Sequence, residues 1–128
     1  MIKITPIPEL KEKREYAGIC GCADRLSPDA LTYGIISEEK KIGLCQFRLT
    51  DEGGEILLLR PVPGTNDPQS LILALRGALF FMDNAGIKRA RFLDDDDTVA
   101  RAVGFSDRAL SLEGFFEKKC GTSANGVI

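Results

Sequence analysis

The chain contains no His and no Trp, and only two Tyr. Without His, no Ser–His or Cys–His mechanism and no His-ligated metal centre can be assembled within this chain. Long apolar runs are also missing. The longest, Leu71 to Met82, is interrupted by Arg76 and is too short to span a bilayer. The opening Met1-Ile2-Lys3-Ile4-Thr5-Pro6 lacks the charged-then-apolar order of a secretory signal. A cytoplasmic location and no membrane partner are therefore expected. There is no excess of positive charge: Lys+Arg is 17 against 19 for Asp+Glu, a net charge of −2. That balance removes the general attraction to phosphate backbones, so nucleic acid is not an expected partner.

What is present suffices for a core. Of 128 residues, 44% are apolar and 28% charged, the composition of one globular domain. A single domain over residues 1–120 and a flexible tail over 121–128 are expected. The cysteines are Cys20, Cys22, Cys45 and Cys120. At this size they read as buried or half-buried free thiols rather than a disulfide framework. Cys20-Gly21-Cys22 could offer two thiolates to a metal or a redox step. Zinc, however, needs two further ligands that the spacing does not supply, and no metal is expected.

The patterns predict the order β-α-β-β-β-α-β-α-β. Ile2–Thr5 alternates as a strand, and a helix runs from Pro8-Glu9-Leu10 to about Cys20. Strands follow at Leu31–Ser37, Ile42–Leu49 and Glu55–Val62, with links so short that the three must form an antiparallel meander. Gly43, Cys45, Phe47 and Leu49 are expected on one face of the second. Asp67 as N-cap and Pro68 at the first turn open the strongest helix, which ends at Asn84-Ala85-Gly86. Its apolar residues lie nearly all round, which predicts full burial. A strand over Lys88–Leu93 should run parallel to Glu55–Val62, as the second strand of a βαβ unit. A short helix over Thr98–Val103 and a last strand over Leu110–Glu117 complete the chain. The fold class is α/β (α+β), with one mixed sheet.

This order resembles the GNAT N-acyltransferase superfamily, over roughly residues 1–117. Three stretches carry the resemblance: Gly54-Glu55-Ile56-Leu57-Leu58-Leu59, Asn84-Ala85-Gly86-Ile87-Lys88, and Val99-Ala100-Arg101-Ala102-Val103-Gly104-Phe105. The resemblance implies acetyl-CoA as cofactor, an amine on a small molecule or protein as acceptor, and a pyrophosphate cradle between the central strand and the main helix. In this sequence the cradle would comprise Val62, Gly64, Asn66, Gln69, Ser70 and Leu71. The family pattern there is Q/R-x-x-G-x-G/A. Here Asn66 takes its first position, and Gln69 and Leu71 stand on its glycines. Asp67 sets a carboxylate where the pyrophosphate charge would lie, and Pro68 removes an N–H. Many members place a proton-donating Tyr where this chain has Ala100. A general base would be a carboxylate on the fourth strand or its neighbour; Glu55 is the candidate, and it reads first as a polar strand-start residue beside the Gly53-Gly54 turn, so no catalytic residue is expected. Tyr16 and Tyr33 read as packing residues.

Asp94 to Asp97 falls at the C-terminal end of the fifth strand, where ligands bind in open α/β sheets. It reads as a solvated loop that starts the next helix, or as an oxygen-ligand cation site. Two functions follow for the whole chain. One is acyl-CoA-dependent N-acyl transfer, weakened or lost through the altered cradle. The other is a non-catalytic module of the same fold that binds a ligand or a protein, including a second copy through a strand edge or the apolar helix.

Overall fold

The computed structural model describes residues 1–116; Cys120 and the tail expected beyond it lie outside the described residues. The elements are β1 (Ile2–Pro6), α1 (Leu10–Ile19), a 3-10 turn (Ala23–Arg25), β2 (Leu31–Ser37), β3 (Lys40–Thr50), β4 (Gly53–Pro61), α2 (Pro68–Asn84), β5 (Arg89–Phe92), α3 (Thr98–Val103) and β6 (Ala109–Ser111). They build one mixed sheet in the order β1-β2-β3-β4-β5-β6. All neighbours are antiparallel except β4 and β5. The α2 crossover between them makes that pair parallel, as the βαβ pattern requires.

Helices cover both faces of the sheet. On one, Leu75, Leu79 and Met82 of α2 pack with Phe47, Ile56, Ala90 and Phe92, and Ala100 of α3 joins them. On the other, Tyr16, Ala17, Cys20 and Cys22 pack with Leu44 and Leu58. The apolar run of β4 thus serves two cores at once, with Ile56 and Leu59 in the first and Leu58 in the second.

Three expectations are corrected. Helix α2 is not buried all round: Leu73, Phe80 and Phe81 are exposed, because only one side of the helix meets the sheet. Leu49 is exposed although Cys45 and Phe47 are buried. The register slips between Gln46 and Phe47, and Leu49 lies opposite Gly54, which offers it no side chain. The last strand is three residues long rather than eight, since Leu112 turns inward to full burial and Gly114 bends the chain at φ +71.

Candidate functional site

The parallel pairing of β4 with β5 is brief. Gly54, Glu55 and Ile56 pair with Ala90, Arg91 and Phe92, and the Leu93 N–H donates to the Ile56 carbonyl at 2.8 Å. Beyond Ile56 the two strands separate. Leu57 falls at the register slip, where Leu58 opposes Gln46 and Ile56 opposes Phe47. The Val62 N–H donates to the Ile42 carbonyl of β3 at 2.8 Å. By alternation, Leu59 and Pro61 turn their backbone into the split. Pro61 has no N–H, so Leu59 carries the donor there.

That donor is taken by a side chain. Asp94 Oδ2 accepts the Leu59 N–H at 2.9 Å. Arg60 Nε donates to the same oxygen at 2.9 Å, and Arg60 Nη2 donates to Oδ1 at 2.7 Å. The Asp95 N–H donates to Oδ1 at 2.8 Å. The Asp94 carboxylate is 1% exposed, and both its oxygens are satisfied twice. Burial pushes the Asp94 carboxyl up, but the Arg60 fork and the two backbone N–H groups outweigh burial and hold it below the usual range. The hydrogen bonds to Asp94 in turn raise Arg60.

The clamp extends outward. Arg25 Nη1 meets Asp95 Oδ2 at 2.5 Å. Arg108 donates to the carbonyls of Phe92, Asp94 and Asp95. Asp96 accepts the N–H and hydroxyl of Thr98 at 3.0 and 2.6 Å, and Asp97 meets Arg101 at 3.2 Å. The expectation of a solvated acidic loop is therefore corrected at Asp94, which is buried in a fork. Arg60 Nη2 also reaches Asp95 Oδ2 at 3.5 Å, so Asp94 and Asp95 share it, while Asp96 and Asp97 face other partners. No group of three or more His, Cys, Asp or Glu able to hold a metal occurs among the described residues. A small cleft of about 270 Å³ remains beside the clamp, bordered by Leu59, Pro61, Leu71 and Val99.

The loop from Val62 to Leu71 leads along one side of this cleft. Val62 is half-buried, with its N–H spent on Ile42. Gly64 has φ +91 and open space where a Cβ would lie. Asn66 and Gln69 are exposed, and Ser70 is buried. The helix start is closed on itself: Asp67 Oδ1 accepts the Ser70 N–H at 3.2 Å, and Ser70 Oγ donates to the Asp67 carbonyl at 2.7 Å. Leu71 half-buries its side chain at the cleft wall. Glu55 is not brought to this loop. It sits four residues before Leu59, about 13 Å along an extended strand, and pairs with Arg48 at 2.6 Å. Ala100, a residue of α3, is fully buried.

The cysteines lie behind the clamp. Cys20, Cys22 and Cys45 are free and buried. Burial pushes the Cys20 thiol up to about 12, and its neighbour Cys22 adds to the effect. Burial likewise raises Cys22, against the lowering influence of Arg60. Such thiols are poor nucleophiles and poor ligands at neutral pH.

The sequence matches no protein-family model and no curated protein. Its architecture does find counterparts. The ribosomal-protein-S18-alanine N-acetyltransferase of Escherichia coli superposes with a TM-score of 0.64 at 10% identity, over 83% of this chain and 78% of that one. A GNAT-family acetyltransferase of Streptococcus pneumoniae gives 0.58 at 15% identity, over 83% and 88%. The PaiA N-acetyltransferase of Thermoplasma acidophilum, solved with coenzyme A, gives 0.56 at 18% identity, over 80% and 85%. The chain has the GNAT fold. No helix among the described residues is long and apolar enough to cross a membrane.

Within this GNAT-fold chain, sequence reasoning singled out the loop and Glu55 but missed the Asp94–Arg60 fork. The signal available was weak: one arginine in an apolar strand, and an acidic run 34 residues later.

Proposed function

We propose that this chain is a GNAT-fold binding module in which acyl-CoA-dependent N-acyl transfer is weak or lost. The observation that carries the reading is the Asp94 carboxylate in the split between β4 and β5. It takes the Leu59 N–H and is locked by both nitrogens of an Arg60 fork. Acetyl-CoA is the cofactor that the fold implies, and the residues present do not fit it. An extended amide ligand adding to the β4 edge would need the donor that Asp94 holds. A pyrophosphate at the start of α2 would meet the Asp67 carboxylate, with the Ser70 N–H already bonded and Pro68 offering none. Like charges a few Å apart cost roughly 1 kcal/mol in water and more when desolvated.

Calorimetry of the full chain with acetyl-CoA and with CoA tests this. No saturable heat is expected. Micromolar affinity, or acyl transfer from acetyl-CoA to a panel of amines, overturns the reading in favour of an N-acyltransferase.

A further inference from the structure

A second cavity is larger than the cleft. It is a trough of about 550 Å³ that runs along β5 and touches β4 and β6. Ala90 and Phe92 point into the core beneath α2. By alternation, Arg89 and Arg91 stand on the opposite face, where they are exposed. Two residues of strand separate them, about 7 Å, within reach of one another's guanidinium groups.

The neighbours of these arginines leave them room, and the carboxylates that also line the trough, Glu52, Glu55 and Asp107, form no ion pair with either of them. Arg89 lies opposite Ser111, and Gly53 approaches so closely that a Cβ there would stand 2.8 Å from the Arg89 carbonyl. Arg91 lies between Ala109 and Glu55. Gly53, Ala109 and Ser111 are too small to fill the trough. Glu55, the carboxylate in register with Arg91, is held by Arg48 at 2.6 Å. Exposed sheet faces ordinarily set opposite charges across strands. Here, among the described residues, neither Arg89 nor Arg91 has an ion-pair partner.

We propose that this trough binds a small molecule through one oxyanion headgroup, a phosphate or a carboxylate, chelated by Arg89 and Arg91. Guanidinium forks match such groups by shape as well as charge. The Ser111 hydroxyl is placed as a third donor, and the volume suits a small ligand. The inference stands apart from the fate of the acetyl-CoA cleft, because the trough and the cleft lie at different ends of β4.

The test uses the full chain labelled with 15N, titrated with inorganic phosphate and separately with acetate, at ionic strength held constant with chloride. Saturable shifts of the Arg89 and Arg91 Nε–H signals and of the Ser111 backbone amide are expected with at least one of the two anions. Which anion saturates tells phosphate from carboxylate. The double variant Arg89→Gln/Arg91→Gln should weaken the response at the Ser111 amide by about tenfold or more; Arg14→Gln, at an exposed α1 position, should leave it unchanged. Shifts no larger than those of Arg14, or an unaltered response in the double variant, overturn the proposal. Acetyl-CoA perturbing the Leu59 and Ser70 amides would instead overturn the reading of the cleft and leave this one standing.

Discussion

Asp94 bonds the Leu59 N–H at 2.9 Å from 35 residues away, in the place that a carbonyl of an adjoining strand would hold. A carboxylate thus completes a ladder that β5 abandons. Asp94→Ala leaves that N–H and the Arg60 fork without their acceptor. Breaking a buried pair from one side typically costs 3–5 kcal/mol. Because the Arg60 side chain is 25% exposed, a loss of about 3 kcal/mol is expected, read as a lower urea midpoint at unchanged slope. A loss under about 1 kcal/mol would mean that the fork contributes little.

The same fork sets a direction in pH. Asp94 is held below its usual range when folded and reverts to about 3.9 when unfolded. The unfolded state then binds more protons, so stability is fully present above that unfolded value and falls as pH drops through the depressed folded one. Urea midpoints from pH 7 down to pH 2 should fall at the acid end. The fall should be shallower in Asp94→Ala. Equal slopes in the two proteins would assign the acid loss to other carboxylates.

Tyr16 is completely buried, and its hydroxyl has no hydrogen-bond partner. Burial pushes that phenol up to about 12, assisted by Glu12 and Glu15. Tyr16→Phe removes the unsatisfied group and should stabilise by about 1 kcal/mol, seen as a higher thermal midpoint. The ring lies across Gly34, where a Cβ would sit 2.5 Å from Tyr16 Cζ. Gly34→Ala should therefore destabilise by about 1–3 kcal/mol, and Gly34→Ala combined with Tyr16→Leu should recover part of that loss.

The three buried thiols should resist alkylation. In a Cys120→Ser background, iodoacetamide at pH 8 should label the folded chain far more slowly than the chain in urea, because burial both shields Cys20, Cys22 and Cys45 and raises their thiols. Rapid labelling of Cys20 or Cys22 in the native protein would reveal local opening of the α1 end.

The local devices were legible in the sequence. Asp67-Pro68 announces the start of α2, Gly104 ends α3, and the meander follows from short polar links, because each rests on neighbours in the chain. What escaped depends on distant partners. Asp94 reads as solvated until Arg60 is brought beside it, and the apolar pattern of α2 cannot say which of its faces lacks a covering layer. The trough follows from cross-strand register, where Arg48 takes Glu55 and leaves Arg91 free. No periodicity encodes that choice.

The brevity of the β4–β5 pairing has a kinetic side. The meander from β2 to β4 closes through two short hairpins, which form early because little chain entropy is lost. Joining β5 requires the whole α2 segment to be ordered first, for three residue pairs of reward. The order of assembly should then be meander, α2 docking, and last the seam that Asp94 fastens. In hydrogen exchange the amides of β5 and β6 should open while those of β3 remain protected, making the fastened edge the place where this molecule first comes apart.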